Sequence, residues 1–373
     1  MKNTLALVLA LAVVSSPAYA SRARLEALGE GKNGSYYIND SRNMFLNPAS
    51  ITKHKKKLLL ELGNGAVVGA NDRAGDNLAQ GGFINTFGDF TYALYLNNTS
   101  DSALTAAATA AAPAPGSAIE FQVAGEGALN WGLGVLTGNT SNGADSSSYF
   151  GVRAGVEKDA LAVFTSVGVS SKFVNDGVAP GSINQIKGKL RLDVGATYKV
   201  MNEMTAFGRF STSTNEATVE AGATDVTAEV KSTNYGAGLG WDKEMTKSTH
   251  MFTRVEAAYA QTKQGDAVTA ESFNVPVVLG AEAQALSWLA IRGSIGHSLI
   301  GRDITGRQSL GNLTTLAAGV GMTFGDVTVD GLVASSGSNG NVTGLGMGTG
   351  PAANQNFGFG DGMISRIAMT YNF

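Results

Sequence analysis

A two-residue alternation of charged and apolar side chains constrains the fold of this chain more than any other feature. Between positions 187 and 200, glycines aside, one parity holds only charged residues and threonine, and the other holds only apolar residues, from Leu190 through Tyr198 to Val200. Successive side chains of a β-strand point to opposite faces of the sheet, so the pattern predicts a strand with one charged and one apolar face. A helical period of about 3.6 residues does not fit this segment.

The same alternation recurs along the chain, for example at 119–124, 149–156, 273–283 and 289–295. A soluble sheet shows alternation too, because its polar face contacts water. Composition decides between the two cases: Asp, Glu, Lys and Arg make up 15% of the residues, well below the roughly 25% of soluble chains. This shortage favours a membrane barrel whose apolar face contacts lipid and whose polar face lines the lumen.

The first twenty residues predict export. Met1 and Lys2 give a positive start, an apolar run extends from Leu5 to Val14, and a small-residue segment ends at Ala20. Ten apolar residues in a helix reach about 15 Å, half of the ~30 Å of a bilayer core, so an N-terminal membrane anchor is disfavoured. We expect a signal peptide at 1–20 that is cleaved after Ala20, and a mature chain in the bacterial outer membrane.

The fold class that we predict is all-β, a transmembrane antiparallel β-barrel of 14–16 strands. Short connections at 157–159, 201–203, 284–287 and 325–326 alternate with long ones at 98–116, 174–186, 214–229, 300–311 and 336–362. Outer-membrane barrels have short periplasmic turns and long external loops. The barrel is expected to occupy 57–373, with sixteen strands near 57–69, 78–86, 89–97, 117–124, 128–138, 147–156, 161–173, 187–199, 203–213, 230–241, 250–262, 272–283, 288–299, 312–324, 327–335 and 363–373.

The C-terminus adds a more specific signal. Ile367, Met369, Tyr371 and Phe373 alternate with polar or small residues, and the chain stops on the aromatic Phe373. This ending resembles the C-terminal signature of bacterial outer-membrane barrels that their assembly machinery recognises. The resemblance implies that Tyr371 and Phe373 form a membrane-assembly signal and that the barrel assembly machinery is a partner.

Residues 21–56 alternate poorly and are not a lipid-facing strand, because their unpaired backbone groups cannot lie in hydrocarbon. The segment runs from an Arg- and Leu-containing stretch through a glycine-rich one at 29–34 to Asp40 and to Asn47-Pro48-Ala49. This order resembles the N-terminal segment of the long-chain fatty-acid (FadL-type) outer-membrane transporter superfamily. The resemblance implies a plug that contains Asp40, Asn47, Pro48 and Ala49 inside a fourteen-stranded barrel, with hydrophobic compounds passing through a gap in the wall.

The sequence gives no support for catalysis, metal binding or a cofactor. The chain has no cysteine, and its three histidines, His54, His250 and His297, lack the spacing of a metal site or a partner Ser and Asp. The segment 29–34 fits G-x-G-x-x-G, but no strand precedes it, as a dinucleotide site requires. A formal net charge of −3 is also unfavourable for nucleic-acid binding. We therefore expect no enzyme.

The charged parity of the strands predicts the lining of the lumen, because Arg or Lys facing mid-bilayer lipid costs about 2–4 kcal/mol. The residues predicted to face inward are Arg153, Lys187, Lys189, Arg191, Lys199, Arg209, Arg254, Arg292, Arg366, Glu120, Asp193, Glu256 and Glu282. Nine cations against four anions favour a lumen that attracts anions. The alternative is that the cations pair with Glu26, Glu30 and Asp40 of the plug.

Three functions fit these features. The first is an outer-membrane channel for passive diffusion of small solutes with a preference for anions. The second is a plugged transporter of hydrophobic, fatty-acid-like compounds, and the third is a structural or adhesive protein that binds through the 336–362 loop. The expected partners are outer-membrane lipid, the assembly machinery and a small solute or hydrophobic ligand, whereas the solute and the oligomeric state stay open.

Overall fold

The structure is a computed structural model that describes residues 21–63, 79–98, 118–142, 145–175, 183–219, 226–305, 308–309, 314–335 and 363–373. The expected signal peptide at 1–20 and the expected loop at 336–362 lie outside these residues, as does the 98–116 loop apart from Asn98.

The described chain is almost entirely strand. One short α-helix, α1 (Arg22–Ala27), and two 3₁₀ helices, η1 (Ser41–Phe45) and η2 (Pro48–Lys53), precede the strands. The strands are β1 Lys57–Gly63, β2 Gln80–Phe87, β3 Phe90–Leu96, β4 Ala118–Gly125, β5 Asn130–Asn142, β6 Asp145–Lys158, β7 Leu161–Asn175, β8 Ile183–Met201, β9 Met204–Val219, β10 Val226–Thr246, β11 Thr249–Gln264, β12 Ala267–Leu286, β13 Leu289–Asp303, β14 Gln308–Ser309, β15 Thr314–Phe324, β16 Val327–Ser335 and β17 Met363–Asn372.

Sixteen of these strands close into one antiparallel barrel. β1 pairs with β2 on one side and with β17 on the other, and the remaining neighbours follow chain order. The two-residue β14 lies beside the end of β13, which pairs directly with β15. The predicted antiparallel barrel is confirmed, with sixteen strands in the wall and not fourteen. We call the end with the short turns, such as the one at 202–203 between β8 and β9, the turn end, and the opposite end the loop end.

Three predicted loops are partly wrong, because strands continue into them. β13 extends to Asp303, inside the predicted 300–311 loop. β9 and β10 pair as far as Val219 and Val226, so most of 214–229 is a hairpin. β8 begins at Ile183, inside the predicted 174–186 loop. These strand ends are rich in Thr, Asn and Glu, and Asn and Glu are more typical of loops than of strands. Pairing with the neighbouring strand satisfies their backbone groups, so the segments form strands in spite of their polarity.

An uncharged band surrounds the outer face of the barrel. On β10, the outward parity runs from the half-exposed Trp241 through Leu239, Ala237, Tyr235 and Thr233 before it reaches Lys231. Ten residues at about 3.3 Å each, on strands tilted by about 40°, rise about 25 Å, which is the height of the lipid-facing band of membrane barrels. The outer face therefore fits a bilayer.

Exposed aromatic rings mark the lower border of this band at the turn end. They include Trp241, Trp288, Phe87, Phe324 and Phe373. Tyr371 and Phe373, the predicted assembly signal, are both exposed here, and the Phe373 backbone N–H donates to Lys56 O at 3.1 Å. No helix in the described segments is long and apolar enough to span a membrane.

Lys187 and Lys189 do not face the lumen as predicted. The pairing of β8 with β9 shifts register between Gly188 and Leu190, so a β-bulge inserts one extra residue at Lys189. Beyond the bulge the parity reverses: Ile186 is buried and Lys187 is exposed. Because side chains alternate with period two, one inserted residue moves every later side chain to the other face.

Candidate functional site

Residues 21–56 fill the turn end of the lumen, and we call them the plug segment. Its helix α1 begins at Ser21, whose side chain caps the helix by accepting from the Arg24 N–H and donates to Asp330 at 2.7 Å. Ala23 and Ala27 pack on one buried cluster with Ala317, Leu332, Ala334 and Ala368 of β15–β17. Small residues on both surfaces let the helix lie directly against the inner wall.

The predicted plug residues build two further caps. Asp40 caps η1 by accepting from the Arg42 N–H at 3.0 Å, and Asn47 caps η2 by accepting from the Ala49 N–H at 3.0 Å. Asn47 also donates from Nδ2 to Glu157 of β6 at 3.0 Å. Pro48 occupies the first turn of η2, where its missing N–H has no intrahelical role. All four predicted residues are buried.

The wall accommodates η2 because it presents glycine there. A Cβ atom at Gly132 of β5 would overlap the Ala49 N atom and the Pro48 carbonyl, and one at Gly155 of β6 would overlap Asn47 Oδ1. Any side chain at these two positions would displace the Asn-Pro-Ala turn. The close approach explains why two neighbouring strands carry glycine on their inner face.

Arg24 joins the plug segment to the wall through a buried charge cluster. Its guanidinium contacts Asp40 at 3.1 Å and Glu282 of β12 at 3.0 Å. Glu282 also pairs with Arg292 of β13, which contacts Asp330 of β16 at 2.5 Å. Burial opposes ionisation of Arg24, but the two carboxylates raise its pKa above the ordinary value. Burial raises the pKa of Asp40, although Arg24 acts in the opposite direction.

Two more ion-pair groups hold the segment on the side of β1 and β17. Arg42 contacts Glu61 of β1 at 2.8 Å, and its Nη1 donates to the Tyr95 hydroxyl at 3.2 Å. Glu26 contacts Arg22 at 2.9 Å and Arg366 of β17 at 2.5 Å. Burial would raise the pKa of Glu26, but these two arginines lower it below the ordinary value. The plug segment is thereby bound at the seam where the first and last strands meet.

The opposite side of the segment contacts β7 to β11. Tyr36 stacks on Phe207 with ring centroids 5.0 Å apart and on Phe164 at 6.0 Å. Burial raises the pKa of Tyr36 to about 12. Glu30 pairs with Arg254 of β11 at 3.3 Å, and burial raises its pKa despite this arginine. The plug segment thus contacts the inner wall around most of the circumference.

Most of the predicted lumen residues form ion pairs. Their partners lie on neighbouring strands, on the same strand or in the plug segment. The six arginines that the structure places inside are all paired: Arg153 with Glu120, Arg191 with Asp193, Arg209 with Glu256, Arg254 with Glu30 and Glu256, Arg292 with Glu282 and Asp330, and Arg366 with Glu26. Lys199 lies exposed near the turn end of β8. The arginines therefore give no uncompensated positive field of the kind that the sequence predicts.

Sequence reasoning missed two inward carboxylates, Asp330 and Glu61. Each is a single acidic residue within an apolar strand, and each shares parity with buried neighbours: Asp330 with Thr328 and Leu332, and Glu61 with Leu59. A lone acidic residue in such a strand is unfavourable toward lipid, so the same parity rule that selected the arginines identifies both.

The wall is interrupted between β7 and β8, toward the loop end. Gly168 pairs with Arg191 and Ser171 pairs with Gly188, but the two residues between them on each strand have no ladder partner across this gap. We call this the wall gap. β6 and β7 also shift register here, at Phe150 and Gly151. Two adjacent bulged strands therefore leave two residues of each strand out of the β7–β8 ladder.

Tyr149 lies under the wall gap on the lumen side. It is buried, and its hydroxyl occupies the space that a Cβ atom at Gly151 would need. A cavity of about 10 Å³ remains in the gap, with Tyr149, Arg191 and Asn215 on the inside and Leu190 and Ser170 among its other lining residues. That volume holds about one water molecule. The Tyr149 side chain thus covers this interruption on the lumen side.

A shallow apolar groove of about 430 Å³ lies on the lipid-facing surface across β8–β12. Small outward residues such as Ala196, Gly208 and Ala237 form its floor, and Phe210 and Tyr235 stand beside them. The groove begins at Val194 of β8, four residues from Leu190 of the wall gap. Apolar surface is therefore continuous from the gap along the outer wall.

The three histidines are far apart and have different surroundings. His54 is buried within the plug segment, and burial together with Lys57 and Lys53 lowers its pKa to about 3. His250 lies 3.2 Å from Asp242, and His297 lies 2.8 Å from the Thr314 hydroxyl. Among the residues that the structure describes, no three His, Asp or Glu side chains are grouped to hold a metal ion.

No family model and no curated protein matches the chain. Among solved structures, it is similar to the monoaromatic hydrocarbon channel CymD, with 12% identity over 94% of this chain and 97% of that chain and a TM-score of 0.42. It is similar to the Pseudomonas putida toluene transporter TodX, with 10% identity, 95% and 98% coverage and a TM-score of 0.41. A Pseudomonas aeruginosa FadL homologue gives 10% identity, 94% and 98% coverage and a TM-score of 0.41. At these sequence identities and TM-scores, the similarity concerns the overall fold alone.

Proposed function

We propose that this protein is an outer-membrane channel for small hydrophobic molecules, in which the plug segment closes the straight route and the solute leaves through the wall gap. The observation that carries the proposal is the interruption of the β7–β8 ladder over a buried tyrosine. Elsewhere the ladder between those two strands is regular. A similar interruption between β11 and β12 contains Glu256, which is buried in ion pairs with Arg209 and Arg254, so a passage needs less rearrangement between β7 and β8.

The straight route is unfavourable because the plug segment is bound by buried ion pairs. Opening it would separate Arg24 from Glu282 of the wall, and breaking a buried pair by removing one partner typically costs about 3–5 kcal/mol. Several such groups would have to separate together. Displacing one tyrosine at the wall gap leaves the ion pairs of the plug segment intact.

The wall gap selects for uncharged solutes. Val169 and Leu190 flank it and are exposed on the lipid side, so a solute that passes between them enters hydrocarbon. A charged group would lose its hydration there without compensation. A small apolar or weakly polar molecule can instead move from the lumen past Tyr149 to the apolar groove.

A reversible cross-link tests the wall gap, since the chain contains no cysteine of its own. Val169→Cys combined with Leu190→Cys, joined by a short bifunctional thiol reagent with a cleavable disulfide, should abolish uptake of a hydrophobic probe by reconstituted vesicles. Reduction should restore uptake. The matched control joins Val135→Cys to Val152→Cys, which are directly paired and lipid-facing on β5 and β6. Equal uptake with the wall gap locked and unlocked would exclude this passage.

A diffusion channel for small polar solutes is the second candidate, and the polar inner face near the loop end favours it. Ser213, Asn215, Ser298 and Thr315 are buried there. Planar-bilayer recording separates the two functions: steady ion current through the wild type supports diffusion, whereas hydrophobic uptake without such current supports the wall gap. Anion preference would show as a reversal potential in a salt gradient.

The orientation and partners follow from the same proposal. The turn end carries the aromatic border, the plug segment and Phe373, so we place it at the periplasmic side with the assembly machinery as partner for Tyr371 and Phe373. Deleting Phe373 should leave the chain unassembled in cells. Folding of the truncated chain from urea into detergent should be nearly unchanged, which separates recognition from stability.

A further inference from the structure

Two lysines lie directly opposite each other on the outer face, just beyond the wall gap. Lys172 of β7 and Lys187 of β8 are paired in register, and both are exposed. Residues paired in this way have Cβ atoms about 4.5–5.5 Å apart, and like charges in such a position destabilise the sheet. The chain therefore holds two positive charges together without an evident benefit to folding.

Within the described part of the chain, Lys172 and Lys187 make no ion pair, although acidic side chains are close. Glu216 faces Lys187 across the β8–β9 ladder, but Glu216 and Glu229 both pair with Lys189, at 2.9 Å and 2.8 Å. Glu216 and Glu229 therefore lie at ion-pair distance from Lys189 and not from the lysine pair.

The pair lies at the height of lipid headgroups. Lys187 stands eleven residues from the half-exposed Tyr198 on β8, and Lys172 stands eleven from Leu161 on β7, with one bulged residue in each interval. Ten ladder steps on strands tilted by about 40° rise about 25 Å, the full height of the lipid-facing band. Lys231 reaches the same border on β10. The surface directly below the pair is apolar, with Val169 and Leu190 exposed.

We propose that Lys172 and Lys187 bind the phosphate group of a lipid in the leaflet at the loop end, with its acyl chains on Val169 and Leu190. A phosphate accepts from both ammonium groups and removes their repulsion, and the apolar surface below selects a lipid over a free anion. Both bulges are required, because each reverses the parity of its strand and brings its lysine to the outside. The site is independent of the proposed passage of solutes.

The test measures binding of dioleoyl phosphatidic acid to the purified full chain in neutral detergent by native mass spectrometry. Dioleoylglycerol is the phosphate-free match, and glycerol 3-phosphate is the lipid-free match. Phosphatidic acid should bind and the other two should not. Lys172→Gln with Lys187→Gln should weaken binding about thirty-fold, the factor expected for two lysines near an anionic lipid surface.

Two further variants fix the interpretation. Lys172→Arg with Lys187→Arg should retain binding, since arginine also contacts phosphate. Lys158→Gln with Lys247→Gln removes the same charge from exposed lysines at the turn end and should have no effect. Equal weakening by this control, or unchanged binding by the Lys172 and Lys187 glutamine variant, would overturn the site. Glycerol 3-phosphate binding as tightly as phosphatidic acid would overturn the assignment to a lipid.

A measurement on the wild type does not depend on variants that fold. Phosphatidic acid should protect Lys172 and Lys187 from acylation by an amine-reactive reagent and leave Lys158 and Lys247 reactive. Equal reactivity of all four with and without the lipid would contradict the proposal. Conductance and hydrophobic uptake should be the same in the glutamine variant and the wild type, so this site and the wall gap can fail separately.

Discussion

Replacing Arg24 by methionine should release the plug segment from the wall. Arg24 and Asp40 have completely buried side chains, and the Glu282 side chain is 11% exposed. Without the guanidinium, Glu282 keeps Arg292, whereas Asp40 keeps the backbone N–H of Arg42 and an electrostatic attraction to Lys57. Loss of one partner from a buried pair costs about 3–5 kcal/mol. The docked state of the segment should weaken by that amount, because methionine fills most of the volume but carries no charge.

Hydrogen exchange of the amides in 21–56, followed by mass spectrometry in detergent, measures this change. A loss of about 3 kcal/mol raises the exchange rate about 150-fold when exchange requires undocking. The barrel amides should exchange as in the wild type. Lys55→Gln is the control, because its pair with Glu126 is exposed, at 38% and 49%, and should change exchange by less than about fivefold.

The variant should also acquire a distinct pH response. Burial already raises the pKa of Asp40, and Arg24 is the group that opposes this effect most strongly. Without Arg24, the docked carboxyl takes up a proton more readily than the undocked one. Docking of the variant should therefore improve as the pH falls through the raised pKa of Asp40. Exchange within threefold of the wild type at pH 7, or a variant that docks no better at low pH, would refute the role assigned to Arg24.

Two further changes test the fit of the plug segment. Gly155→Val should displace Asn47 and weaken docking of the plug segment by about 1–3 kcal/mol, as for an overpacked core, and amide exchange near 44–50 should become faster. Gly208→Val is the control and should not change docking, because a Cβ atom there meets open space. Burial of His54 should make docking of the plug segment weaken as the pH falls from about 6.5 toward 3, by about 1.4 kcal/mol per pH unit. The reason is that the imidazole is protonated more readily in the undocked segment than in the docked one. His54→Phe should flatten that dependence, and an equal slope in the variant would exclude the histidine as its cause.

The strands and their faces were predictable because membrane strands follow a local rule. Each side chain faces lipid or lumen according to its parity, and the consequence of a charge toward lipid does not depend on which strand is its neighbour. Arg153, Arg292 and Arg366 were assigned inward on this basis, and the structure buries or half-buries each of them against a carboxylate. The C-terminal strand of alternating apolar residues was predicted in the same way.

The bulges at Val169 and Lys189 could not be predicted from parity. A bulge is a property of two paired strands, since it records where one strand has a residue more than its neighbour between two ladder contacts. Lys187 is an example, because the sequence of its own strand shows no interruption between Gly188 and Leu190. The loop prediction for 214–229 was wrong for a related reason, because pairing with a neighbouring strand stabilises these polar segments as strands.

By itself, the sequence determined that this chain forms a lipid-facing cylinder with its arginines inside and a non-strand segment at its start, because period-two patterning and the exclusion of charge from hydrocarbon act on each strand separately. Only the tertiary structure decided which charges neutralise one another and where the wall is interrupted. Arg24 meets Glu282 across 258 positions of sequence, and such contacts depend on how the closed barrel brings distant strands around the plug segment.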